Sequence, residues 1–331
     1  MKAILNKLFE YKSLDKKSAK QVLINLAQGK YNYSQMAAFL TVYLMRSITV
    51  DELEGFRDAM LELCVPVNLD DYDIIDLCGT GGDGKDTFNI STLSAFVVAG
   101  TGQKVAKHGN NGVSSMCGSS NLLAHLGVHF TNSQDHLKRC LDVANICFLH
   151  APLFHPAMKN VAPIRQELGV KTFFNMLGPM VNPARPKKQI VGVFSLELAR
   201  LYSYLYQQSD KNYIILHSLD GYDEVSLTGS FRMISNKEEA ELTPTDLGLR
   251  QLKQEDLYGG ESIAESAEIF LNILKGGGTS EQREVVLANA GMAIQCAYQG
   301  LSISDAIIKA EESLKSGAAL NAFEKLISVK A

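Results

Sequence analysis

Asp76-Leu-Cys-Gly-Thr-Gly-Gly-Asp-Gly-Lys-Asp-Thr-Phe-Asn-Ile-Ser-Thr92 is the stretch from which the rest of the chain can be read. An apolar run, Tyr72 to Cys78, leads into it and predicts a strand buried on both faces. The run empties into a turn with four glycines in six residues: Gly79, Gly81, Gly82 and Gly84. Glycine admits positive φ and lets a ligand approach bare N–H groups. Asn89-Ile-Ser-Thr92 then opens an apolar segment, Leu93 to Ala99, that predicts a helix. Free N–H groups at a helix start favour an anion. A second strand, Gln103 to Ala106, delivers Lys107-His108-Gly109-Asn110 to the same edge. The ligand these features suit is small and rich in phosphate.

Two familiar patterns fit the turn by coincidence. Gly79-x-Gly81-x-x-Gly84 matches a dinucleotide fingerprint, which also requires an acidic residue roughly 20 positions on, at the end of the next strand. Here that strand ends in Lys107 and His108, which suit an anion and not a ribose diol. Gly79 to Lys85 matches most of a Walker A loop, but Asp86 stands where a hydroxyl should ligate magnesium.

Outward from the turn, residues 1–66 carry apolar residues at helical spacing and no strand pattern. Ser34 and Thr49 are positioned to cap the third and fourth helices. From Tyr72 strands and helices alternate: strand 72–78, helix 91–100, strand 103–106, helices 119–126 and 133–142, and strand 146–149. Short apolar strands in alternation imply a mainly parallel sheet covered by helices, with ligands at the strands' carboxyl ends. A proline-containing, helical segment at about 155–187 rejoins the first domain. Strands resume at 189–194 and 213–217, a β-rich stretch covers 224–242, and the tail is helical, with Thr279 and Gln282 forming a capping box. The expected fold is thus a small all-helical N-terminal domain (1–68, joined by 155–187) plus a larger α/β domain (70–154 and 188–331) with a mainly parallel central sheet.

Composition narrows the function. A net charge of −4 argues against nucleic acid as partner. No apolar run approaches the roughly 20 residues of a membrane span, and the N-terminus reads as helix and not as a signal peptide. Six scattered cysteines without a C-x-x-C pair suit a reducing, cytoplasmic setting and no zinc site. Lys107 offers a point charge to phosphate, and Asn110 can donate or accept towards a polar substrate. Gly109-Asn-Asn-Gly-Val-Ser-Ser115 buries little apolar area but can wrap a phosphate with backbone amides. Asp223-Glu224, adjacent acids in a loop, supply hard oxygen donors for magnesium beside a pyrophosphate. Arg165 sits in an apolar helical stretch, where its fork suits a carboxylate or a salt bridge to Glu167.

Taken together, CGTGGDGKDTFNIST, KHGN-x-x-VSS-x-x-GSS, HPAMKNVAPIRQELGVKTFFNMLGPMVNPA and GYDEVS resemble the anthranilate phosphoribosyltransferases over much of residues 76–226. That resemblance implies transfer of a 5-phosphoribosyl group from phosphoribosyl pyrophosphate to the amine of anthranilate, in tryptophan biosynthesis, with two Mg2+ per active site. It implies that Gly79, Gly82, Asp83, Thr87, Asn89, Ile90, Ser91, Thr92 and Lys107 would bind the phosphoribosyl substrate. So would Ser115 and Ser119, while Gly109, Asn111, Gly112, Val113 and Ser114 would also line the substrate site. Anthranilate would meet Gly79, His108, Asn110 and Arg165, so that Lys107, His108, Asn110 and Arg165 would be the catalytic group. Ser91 would ligate one magnesium, and Asp223 with Glu224 the other. A homodimer through the helical domain is also implied. The chain departs from many relatives at Asn111-Gly112 and Met116-Cys117, where Arg-Ser or Arg-Ala and Lys-Ser are usual. A nucleoside phosphorylase shares the fold, but its phosphate motifs are missing here.

Overall fold

The computed structural model describes residues 1–112 and 117–330. Four helices come first: α1 (Lys2–Phe9), α2 (Lys16–Ala27), α3 (Tyr33–Met45) and α4 (Val50–Leu63). Then follow β1 (Ile74–Gly79), α5 (Ile90–Gly100), β2 (Lys104–Gly109), α6 (Ser119–His125), α7 (Gln134–Ala144) and β3 (Ile146–His150). Three short helices come next: α8 (Ala151–Phe154), α9 (Ala162–Leu168) and α10 (Phe174–Leu177). The chain continues through β4 (Lys188–Gly192), α11 (Leu196–Gln207), β5 (Asn212–Ser218), β6 (Phe231–Ser235) and β7 (Glu239–Leu242). It ends in α12 (Ile263–Leu274), α13 (Ser280–Ala297), α14 (Ile303–Lys315) and α15 (Ala318–Ser328). Two compact units result, Met1–Pro66 with Ala151–Pro183, and Val67–His150 with Ala184–Ala331.

In the helical unit, Phe39, Tyr43 and Phe56 close around Phe173 from the returning segment, with Phe56 and Phe173 stacked at 4.4 Å. The return is tied by backbone as well: Val65 N–H donates to Phe154 O at 2.8 Å, and Asn160 Nδ2 to Ala27 O at 2.7 Å. Gly55 lets α4 cross tightly over α2, since a Cβ there would sit 2.8 Å from the Ala19 Cβ. The third helix is capped by Asn32 and not by Ser34: Asn32 Oδ1 accepts from Gln35 N–H at 2.9 Å, leaving Ser34 inside the first turn. Thr49 caps α4 and forms a capping box with Glu52.

His155 is buried in this unit, and burial pushes its imidazole down to about 4. The unfolded chain protonates this histidine near pH 6.5, the folded chain only near 4. Stability is therefore complete above pH 6.5 and lost as pH falls through that window. Urea unfolding of the helical unit at pH 7 and pH 5 should differ by about 2 kcal/mol from this group. A folded His155→Gln variant should lose that component of the difference.

The α/β unit is built on one seven-stranded sheet in the order β3-β2-β1-β4-β5-β6-β7. The first five strands run parallel, and β6 and β7 are antiparallel. The chain leaves β1 to build β2 and β3 on one side, then returns to build β4 on the other. Strand order thus reverses at β1, and a crevice at the carboxyl ends of β1 and β4 is the place such sheets bind ligands. α5, and α13 from Val285 onward, are apolar on nearly all sides and buried, as helices enclosed within a layered unit must be. Phe96 of α5 meets Phe270 and Phe323 at 5.8 and 5.4 Å.

Two expectations change here. The second strand does not stop at Ala106: pairing with β3 runs on to Gly109↔His150, so Lys107 and His108 lie inside β2. The stretch 224–242 is strand only from Phe231, because Ser218, Ser226 and Thr228 hydroxyls hold the preceding residues as a loop.

Candidate active site

Gly79 ends β1 and pairs with Gly192 at the end of β4. Neither has a side chain because the segment carrying Asp223 crosses directly over both. A Cβ on Gly79 would fall within the van der Waals envelope of the Asp223 carboxylate, and one on Gly192 within that of the Asp223 carbonyl. Past Gly79 the chain needs positive φ at Gly81, Gly82 and Gly84 to turn, and this aims the Gly81 N–H at Asp223 Oδ2, 2.7 Å away. The far side of the turn is pinned by Phe88 N–H to Leu257 O and by Gly259 N–H to Asp86 O.

The α5 N-terminus does not present all its N–H groups to solvent, as the sequence suggested. Glu224 Oε1 accepts from Ser91 N–H at 3.0 Å, and Asn89 Nδ2 donates to Cys117 O instead of capping the helix. An acidic side chain is itself the anion that a helix start attracts. Lys107, buried in β2, donates from Nζ to Leu77 O and reaches Ser91 Oγ at 3.3 Å. Burial pulls its ammonium down, while Cys78, Asp76 and the Asp223-Glu224 pair counteract this.

Asp223 is pushed up to about 7 by burial and then by Asp83. Burial, Asp223 and Asp83 in turn raise Glu224 well above the ordinary range. Three acids thus crowd one end of the sheet with less positive charge than they need, which is the electrostatic signature of a cation site. Among the described residues no three His, Cys, Asp or Glu groups form a ready metal cage. Magnesium commonly takes only one or two carboxylates from protein and completes its shell with water and substrate phosphate. The donor set fits it: carboxylates of Asp223 and Glu224, with the Ser91 hydroxyl beside them.

Of the remaining predicted residues, Gly82 and Ile90 are buried and Thr87 forms a β-bridge with Tyr258. Thr92 is buried in the first turn of α5. His108 is buried, its N–H on Asp76 Oδ1 at 3.1 Å. Asn110, Asn111 and Gly112 are exposed and are fastened to the start of α6: Asn110 O accepts from Ser119 Oγ and Ser120 N–H, and Gly112 N–H donates to Asn121 Oδ1. Gly109 faces Ser119, whose Oγ would stand 2.6 Å from a Cβ. Val113, Ser114 and Ser115 lie outside the described residues.

Arg165 belongs to the helical unit, on α9, which ends at Gly169 with φ 61°. Its Nη2 donates to Asn175 Oδ1 at 3.2 Å, and its guanidinium lies 5.4 Å from the Phe174 ring centre. Burial lowers its pKa, and among the described residues it has no carboxylate partner, Glu167 included. Sequence reading missed Gly192 and Asn289, which hold the Asp223 segment; a glycine directly after the β-branched pair Ile190-Val191 was the available signal for the first.

Residues 71–320 match the a/b domain of the glycosyl transferase family, and residues 2–64 match that family's helical bundle domain. Fold and site together define a glycosyl transferase of this two-domain class. The anthranilate phosphoribosyltransferase of Christiangramia forsetii is 61% identical over 98% of both chains, and that of Bacteroides thetaiotaomicron 50% over 99% of both. The crystal structure of the Thermus thermophilus anthranilate phosphoribosyltransferase matches with a TM-score of 0.91 at 33% identity, covering 98% of each chain. The Saccharomyces cerevisiae enzyme in complex with PRPP and Mg matches at 0.90 and 28%, covering 98% of this chain and 96% of that one. The chain belongs to the anthranilate phosphoribosyltransferase family.

Proposed function

We propose that this enzyme transfers the 5-phosphoribosyl group of phosphoribosyl pyrophosphate to the amine of anthranilate, giving N-(5-phosphoribosyl)anthranilate and pyrophosphate in tryptophan biosynthesis. The observation that carries the reading for this chain is the crowding of Asp83, Asp223 and Glu224 beside a glycine turn at the end of β1. Magnesium bound there would neutralise the pyrophosphate as it leaves, so that no protein acid has to protonate it. Asp223 and Glu224 would hold one such ion and Ser91 a second. Gly79, Gly82, Asp83, Thr87, Asn89 and the 107–119 segment would hold the phosphoribosyl group. His108 and Asn110 would orient anthranilate, and Arg165 would take its carboxylate by a two-point, charge-assisted contact. Aromatic amines are weak nucleophiles, so these residues act chiefly by positioning.

The test uses anthranilate fluorescence, which no tryptophan of the protein obscures. Wild-type protein should consume the signal only with phosphoribosyl pyrophosphate and magnesium both present; a folded protein that leaves it unchanged ends this reading. Arg165→Ala should raise the KM for anthranilate about 10- to 100-fold, the loss of one charge-assisted contact. An unchanged KM would remove Arg165 from the substrate site.

The helical unit exposes Phe9, Tyr33, Leu44 and Met45, and these supply an apolar face for a homodimer, checked by light scattering. All six cysteines are free, in keeping with a cytoplasmic enzyme. No helix among the described residues is long and apolar enough to cross a membrane.

A further inference from the structure

Asn289 stands in the buried middle of α13, where a side chain with two donors and an acceptor is costly unless each is satisfied. Its Oδ1 accepts from Val225 N–H at 3.0 Å, and its Nδ2 donates to Val225 O and to Val285 O, both at 2.8 Å. One amide therefore grips both peptide groups of the residue that directly follows Asp223-Glu224, as a neighbouring strand would. Ser218 Oγ donates to Glu224 O at 2.6 Å, and the glycine floor at Gly79 and Gly192 limits how far the segment can sink. Asn289 is what ties its backbone to the rigid helix behind it.

We propose that Asn289 is a positioning residue for the magnesium-binding carboxylates, holding the Asp223-Glu224 backbone at the height the ion requires. The inference rests on the reading that Asp223 and Glu224 bind magnesium. When ionised, those two acids and Asp83 of the glycine turn repel one another, a force that works to lift the 223–224 segment off the glycine floor until a cation binds. A support on a buried helix resists that displacement, so the donors are in place when the metal arrives. Without it, Val225 N–H and C=O lose their partners and the segment can settle elsewhere, which weakens the ion's hold without touching any ligand.

The experiment measures Mn2+ binding by the EPR signal of the free ion, in the presence of pyrophosphate. Asn289→Leu removes all three hydrogen bonds while keeping the number and branching of the side-chain heavy atoms, and the smaller Asn289→Ala checks that its added bulk is not the cause. Ser313→Ala removes a different buried bond of the same unit, Ser313 Oγ to Val97 O at 2.7 Å, and controls for general destabilisation. Asn289→Leu should bind Mn2+ at least tenfold more weakly, with Ser313→Ala as wild type. Wild-type affinity in folded Asn289→Leu overturns the proposal. Should that variant not fold, folded Asn289→Ala decides by the same criterion. Asp223→Asn separates the two readings: if it binds Mn2+ as tightly as wild type, the metal assignment itself fails and Asn289 has nothing to position.

Discussion

Gly192→Ala is expected to lower the transferase rate about 100-fold while adding a single methyl group. The backbone of Gly192 lies outside the positive-φ region, so alanine meets no conformational penalty of its own. The obstacle is purely spatial: the new Cβ would overlap the carbonyl of Asp223, a backbone atom that no rotamer change can withdraw. Either the end of β4 bends away from β1 or the Asp223 segment lifts. Overpacking of this kind costs about 1–3 kcal/mol, and a displacement near 1 Å of groups that must align is worth roughly 100-fold in rate. Gly178→Ala is the matched control, at φ −42° with open space around the added carbon; it should leave stability and rate close to wild type. Steady-state rates and thermal melts of the two variants check the claim. A Gly192→Ala enzyme with full activity would mean that the Asp223 segment moves aside without cost and that its close seat on Gly192 is not needed for transfer.

What could be read in advance followed from period and composition. Alternating apolar strands and helices after Tyr72 identified the parallel sheet, because a strand buried on both faces leaves a continuous apolar run. Four glycines from the end of β1 onward marked a turn, and the three that follow the strand do take positive φ. What could not be read was anything set by distant partners. Lys107 carries a charge, which argues for a loop, yet β3 pairs with it and draws it into a buried strand. Asn32 and Ser34 are both good caps, and only the hydrogen bond to Gln35 N–H separates them. Asn289 sits in a helix with no local mark of its role, since its partner is 64 residues away. The α5 start looked open to an anion because nothing near it in sequence shows that Glu224 reaches it. The site's glycines are visible locally; its carboxylate geometry is a tertiary product.

The same limit applies to Glu52, which carries the largest stability prediction. Its Thr49-x-x-Glu52 spacing announces a capping box, but local sequence does not show that the carboxylate is fully buried. Both oxygens are engaged: Arg46 by Nη2 at 2.5 Å and Nη1 at 2.9 Å, Leu14 N–H at 2.9 Å, Thr49 N–H at 3.0 Å and Tyr43 O–H at 3.2 Å. Burial alone would raise its pKa, yet the Arg46 guanidinium and the Leu14 and Thr49 N–H groups leave it lowered. Glu52→Leu strands a largely buried guanidinium and three donors, and should destabilise the helical unit by about 3–5 kcal/mol. Leucine at both Arg46 and Glu52 should recover part of that loss, because no unpaired charge then remains inside. The pH dependence has a definite sign. A carboxylate whose folded pKa is lowered stabilises above its unfolded value and loses that contribution as pH falls through the folded one. The gap between wild type and Glu52→Leu in urea unfolding should therefore be widest near pH 7 and narrow on acidification below about 4.5. A gap that stays constant down to pH 3 would mean that Glu52 acts through packing, with its ion pair contributing nothing.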